Sequence, residues 1–229
     1  EDIARVTGDP DYFNLAYGGG TLHESIISFW HAESLTRLKT VYFEVSFADY
    51  NSNPLNRVDE TERLLHHPLQ YFDNPDALQA SWYDLIAAVF HWQINLRPQM
   101  SRDAFWKYQL AYLADRYRDI PYPAAQKVQL TQIAAFCRAN HIRFYFVITP
   151  QSIDAQRRVD ELGVTHEYVR FKSDLASIAP TIDCDIPSEI TTNKDNYSDP
   201  FHMLDTAGAK IVDDIWTGKF QYCHQMGQW

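Results

Sequence analysis

An aspartate and a histidine stand three positions apart in Asn196-Tyr197-Ser198-Asp199-Pro200-Phe201-His202. Side chains at that spacing on one turn of chain point the same way. A carboxylate within reach of an imidazole fixes its tautomer and stabilises its protonated form, which equips the histidine as a general base. The same spacing has a second reading. Asp199 could cap the helix expected over 206–216, with His202 simply solvated. Spacing alone leaves both readings open.

Other stretches offer chemistry of a different kind. Gly18-Gly19-Gly20 lies between an apolar segment and a helix start, where backbone N–H groups can hold an anion or an oxyanion. The competing reading is a tight turn that needs glycine for its shape. No Lys-Ser or Lys-Thr follows the run and no G-x-G-x-x-G is present, so it is not a phosphate-binding loop. Asp49, Asn51 and Asn53 sit in a turn-forming loop after a strand pattern. An asparagine there can donate to an oxyanion, and ordinary loop chemistry is the alternative. The remaining histidines, the His66-His67 pair among them, lack metal-ligand spacing with carboxylates, so no metal site is expected. The three cysteines, Cys137, Cys184 and Cys223, form neither a zinc pattern nor a disulfide framework, and they leave room for a single bridge. Trp82, Tyr83, Phe90, Trp92, Phe105, Trp106 and Tyr112 read as helix packing, with a sugar-stacking face as the functional alternative.

These residues need elements to position them. The chain has 229 residues, 45% of them hydrophobic, enough to bury a full core. Its formal net charge of −10 and pI near 5.3 argue against a nucleic-acid partner. The longest apolar run, residues 85–90, is too short to span a bilayer. Apolar or β-branched stretches at 11–16, 41–47, 142–148 and 181–184 predict strands. Thr21 and Glu24 predict a capping box opening a helix over 22–35, and the first strand, helix and second strand together predict a parallel crossover. Further helices are expected over 76–92, 101–117, 128–140, 156–162 and 206–216. Alternating strands and helices predict an α/β domain over residues 1–217. It would have a mainly parallel sheet flanked by helices, a helical insertion at 59–140, and a tail at 218–229. In such sheets the strand-end loops share one edge. That edge would gather residues 18–20, 48–53, 149–152 and 198–202.

The ordered set of Asn14-Leu15-Ala16-Tyr17-Gly18-Gly19-Gly20-Thr21, a strand ending near Asp49–Asn51, Ile148-Thr149-Pro150 and Asp199-x-x-His202 resembles the SGNH (GDSL-type) hydrolase superfamily. The closer resemblance is to membrane-anchored members linked to acylation of envelope or exported polysaccharides. It implies a flavodoxin-like sheet and a serine-histidine-aspartate mechanism in which Asp199 and His202 supply acid and base. It also implies an oxyanion donor at Gly18 or Gly19, a further donor at Asn51, and no cofactor. The family's first block, a Gly-Asp-Ser or Gly-x-Ser after the first strand, has no counterpart in this sequence. The expectation is therefore that the first strand and the nucleophilic serine precede Glu1, together with a membrane anchor.

Two functions follow. One is an acyl-ester hydrolase or O-acyltransferase acting on a carbohydrate or small ester at the cell envelope, inactive without the upstream serine. The other is a non-catalytic α/β domain that binds polysaccharide or serves as a scaffold.

Overall fold

The structure, a computed structural model, describes residues 2–8, 11–16, 18–53, 56–90, 100–117 and 121–228. Four strands, β1 (Thr40–Glu44), β2 (Arg143–Ile148), β3 (Thr181–Asp183) and β4 (His224–Met226), form one sheet in that spatial order. The pairings β1–β2 and β2–β3 are parallel and β3–β4 is antiparallel. The described helices are α1 (Asp2–Thr7), α2 (Leu22–Leu35), α3 (Arg57–His66), α4 (Pro75–Phe90), α5 (Arg102–Arg116), α6 (Ala124–Ala139), α7 (Ile153–Glu161), α8 (Thr165–Ile178), α9 (Glu189–Thr192) and α10 (Asp205–Thr217). Short 3₁₀ turns occupy Pro68–Asp73 and Lys194–Asn196.

The period of two along β1 and β2 decides which side chains enter which core. Register pairs Phe43 with Phe146 and Val41 with Phe144. With Val45 and Ile148 these residues join the larger core, beneath Leu22, Ile26 and Phe29 of α2, Leu130 and Ile133 of α6, and Phe171 and Leu175 of α8. The opposite face carries Tyr42, Tyr145 and Ile182, which pack against Ala207, Ile211 and Ile215 of α10. Both faces of the sheet are covered, as a mostly parallel sheet requires. Burying a phenylalanine such as Phe146 stabilises the fold by ~1.5–3 kcal/mol.

The α/β class and mainly parallel sheet expected from the sequence are present. Two expectations are corrected. Residues 11–16 form no strand. Phe13 is 77% exposed, and the Ala16 N–H turns back onto Asn14 Oδ1 at 2.8 Å. A strand exists only by pairing, and no described strand lies beside this segment, so the first parallel crossover is absent. The chain after Gly218 is no loose tail, because it supplies β4. Gly227 passes so close to the Ala176 and Ala179 carbonyls, at φ +69°, that a Cβ there would collide with them.

The central helices also divide differently from the expected insertion. α6 packs on β2 and is the crossover helix between β1 and β2. Only residues up to its start are extra to the parallel-sheet plan. The aromatic side chains expected to pack do so unevenly. Trp106 of α5 is 3% exposed, whereas Trp82 and Phe90 of α4 are 60% and 65% exposed. His91 and Trp92, the last two residues of the helix expected over 76–92, lie outside the described residues.

Candidate functional site

Asp199 and His202 meet. Asp199 Oδ2 lies 2.7 Å from His202 Nδ1, and Asp199 Oδ1 accepts the backbone N–H groups of Phe201 at 2.9 Å and His202 at 3.1 Å. One carboxylate oxygen therefore shapes the turn while the other grips the ring. The aspartate side chain is 9% exposed and the histidine 72%. A carboxylate facing Nδ1 places the ring proton there, which leaves Nε2 as the acceptor. Among the described residues nothing hydrogen-bonds to Nε2. The capping reading of Asp199 does not hold. The cap residue of α10 is Leu204, with no side-chain cap bond.

The turn that carries the pair is closed on itself. Ser198 N–H donates to the His202 carbonyl at 2.9 Å and Leu204 N–H to that of Asn196 at 2.8 Å. Tyr197 and Met203 form an antiparallel bridge across it, and Tyr197 is fully buried beneath. Ser152, just past the end of β2, donates its N–H to the Pro200 carbonyl at 2.9 Å. The pair thus sits at the carboxyl end of β2 and β3, where parallel sheets place their sites.

Beneath the turn lies a network that sequence reasoning missed. Asp185 accepts from the Gln151 N–H and the Gln156 amide at 3.0 Å each, and from the Tyr168 hydroxyl at 2.7 Å. Lys172 bonds Asp183 Oδ2 and the Asp185 carbonyl, both at 2.7 Å. Burial raises both carboxyls above their ordinary range; for Asp183 the Lys172 ammonium opposes the rise, and for Asp185 the Gln151 N–H does. The available signal was Asp183-Cys184-Asp185 at the end of a strand pattern. Cys184 of that run is bonded to Cys223, tying the end of β3 to the approach to β4, and Cys137 is free and buried.

The other predicted donors make no described bond to the pair. Gly18 and Gly19 are exposed, and the N–H groups of Gly18, Gly19 and Gly20 donate to no described residue. Gly19 adopts φ +70°, a left-handed conformation that favours glycine. Its carbonyl accepts from Arg57 Nη2. The capping box appears as expected, with Glu24 accepting the Thr21 N–H at 2.9 Å. Glu24 is also fully buried and bonds Arg57 through its backbone N–H at 2.6 Å, Nε at 3.0 Å and Nη2 at 2.8 Å. Those bonds hold its carboxyl down to about 2. Asn51 directs its amide to the Ala48 carbonyl at 2.7 Å, and its oxygen accepts from Asn53 N–H at 2.8 Å. No hydrogen bond or ion pair among the described residues joins Gly18–Gly20 or Asn51 to the Asp199–His202 turn.

Between the two regions stands Glu44, the last residue of β1. Its Oε1 accepts from Thr149 Oγ1, past the end of β2, at 3.0 Å. With Gly20, Ser25, Ser46 and Asp49 it lines a shallow cleft. Protein packed around Glu44 raises its carboxyl above the ordinary range, against the opposing Thr149 bond, although part of the side chain stays open to solvent. The carboxyl edge therefore runs from the glycine turn through Glu44 and Thr149 to Ser152, Pro200 and His202. Among the described residues no group of His, Cys, Asp or Glu is arranged to hold a metal, and no helix is long and apolar enough to cross a membrane. An α/β domain with a buried aspartate orienting an exposed histidine at the carboxyl edge of its sheet is the class that fold and site define. No protein-family model, curated protein or solved structure matches the chain.

Proposed function

We propose that this chain is the larger part of an SGNH-like, flavodoxin-type acyl-ester hydrolase or O-acyltransferase domain, acting on a carbohydrate or small ester. The observation that carries the reading is the Asp199–His202 pair, buried carboxylate on Nδ1 and open Nε2. A serine from a segment preceding Glu1 attacks the acyl carbon as His202 Nε2 takes its hydroxyl proton. The tetrahedral adduct then expels the alcohol, which receives that proton from His202, and leaves an acyl-serine. Water or a second hydroxyl, deprotonated in turn by His202, attacks the acyl-serine and releases the acid or a new ester. Asp199 orients the ring throughout, and free N–H groups in Gly18–Gly20 receive the oxyanion. Three features support the incoming segment. The outer edge of β1 pairs with no described strand, the stretch 11–16 joins no described strand either, and α1 packs on α10. The Cys184–Cys223 disulfide supports an oxidising compartment such as the cell envelope.

The test uses protein extended upstream of Glu1, with p-nitrophenyl acetate as substrate. Hydrolysis is expected, and His202→Ala should abolish it without disturbing the circular dichroism, because the ring is mostly solvent-exposed. Unchanged hydrolysis in that variant would sink the proposal.

A further inference from the structure

The helical section between β1 and α6 is not required by the parallel-sheet plan, yet one of its helices reaches the candidate site. Arg102, the first residue of α5, donates Nη2 to the Lys194 carbonyl at 2.6 Å and to the Tyr197 carbonyl at 2.7 Å. Its Nη1 faces Asp195 at 3.4 Å. These carbonyls bracket the 3₁₀ turn, and Tyr197 opens the hairpin that holds Asp199 and His202. The contact is returned: Lys194 Nζ bonds Asp103 at 2.9 Å and lies 4.6 Å from the centre of the Trp106 ring. Buried Trp106 in turn donates Nε1 to Asp154 at 3.1 Å. Asp154 is in the first turn of α7, whose cap residue Ser152 holds the Pro200 carbonyl.

We infer that Arg102 is a positioning residue, a clamp by which the extra helix α5 sets the Asp199–His202 turn. The inference rests on the reading of that pair as catalytic. The turn is held at two points, Tyr197 from α5 and Pro200 from α7, and Trp106 fixes those helices to one another. A guanidinium suits this post because its planar fork presents several N–H donors in fixed directions, and its charge strengthens each bond to a carbonyl. A lysine ammonium has one shorter-reaching nitrogen and does not reproduce the fork. Loss of the clamp leaves His202 chemically intact but free to wander from the line of attack. Misplacement by about 1 Å costs on the order of 100-fold in rate.

The experiment has two arms. In the chain itself, amide hydrogen exchange is followed by mass spectrometry for Arg102→Ala and Arg102→Lys. Exchange across 197–204 is expected to speed by ~10-fold, the equivalent of ~1.4 kcal/mol, while β1 and β2 stay protected. Millimolar guanidinium, far below denaturing levels, should restore protection in Arg102→Ala and not in Arg102→Lys. Should Arg102→Ala loosen the whole domain, Arg102→Lys decides, since it keeps the charge and the start of the helix. Unchanged exchange across 197–204 in Arg102→Lys overturns the clamp. In the extended protein both variants should lower kcat for p-nitrophenyl acetate by ~10- to 100-fold with KM little changed. Faster exchange with kcat unaffected overturns the positioning role. Faster exchange alongside a His202→Ala variant that still hydrolyses ester defeats the proposed function and leaves the clamp standing.

Discussion

Replacing Glu24 with glutamine should expose how much the glycine turn depends on one buried charge. The Glu24 carboxylate is fully buried, and Arg57 and Thr21 supply its hydrogen bonds. A carboxyl at about 2 instead of its ordinary 4.5 is equivalent to ~3 kcal/mol of stability at neutral pH. The Arg57 side chain is 42% exposed, so solvent screening brings the expected contribution to ~2 kcal/mol. The sign follows from the depressed value. Stability is fully present above the ordinary carboxyl range and is lost as the pH falls towards 2. Urea denaturation of both proteins at pH 7 and pH 3 reads this out. Glu24→Gln should lose ~2 kcal/mol at pH 7 and about half of that at pH 3. An equal loss at both pH values would refute the argument, because the uncharged hydrogen bonds would then be doing what is ascribed to the charge.

Two further perturbations test other parts of the fold. Cys184 and Cys223 are 39 residues apart, and opening a loop of that length is expected to cost ~2–4 kcal/mol. Melting with and without reductant should show the loss, and a Cys184→Ser variant should melt at the reduced protein's temperature under both conditions. Glu44 has a raised carboxyl, so folding disfavours its charged form and stability falls as the pH rises above the ordinary carboxyl value. Glu44→Gln should therefore melt higher than the parent at pH 7, with the advantage gone at pH 4; a gain that persists at pH 4 would exclude ionisation as its cause.

Features that depend on a few adjacent residues were legible in the chain. The capping box of Thr21 and Glu24 closes within one turn of helix, so local chemistry is sufficient. The strand of Phe144, Phe146 and Ile148 announces itself by period and by β-branched and aromatic content. Asp199 and His202 are close in sequence, and their turn closes through their own backbone. Residues 11–16 carry a similar apolar signal and form no strand, because a strand depends on a neighbour that sequence pattern does not supply. Arg102 and Asp185 were missed for the same reason. Arg102 meets Lys194 and Tyr197 across more than ninety positions, and Asp185 meets Gln151 across thirty-four.

The amino-acid order by itself determined the strands that became β1, β2 and β3, the capped start of α2 and the presence of an aspartate within reach of a histidine, since each follows from local spacing and backbone preference; α8, between β2 and β3, was not expected from the sequence. Tertiary structure alone decided that Asp199 orients the ring instead of capping α10, that Cys184 pairs with Cys223 while Cys137 stays buried, and that α5 grips the turn. Those outcomes depend on which surfaces meet when both faces of the sheet are covered, and burial, which sets the strength of every bond in the site, exists only once they have met.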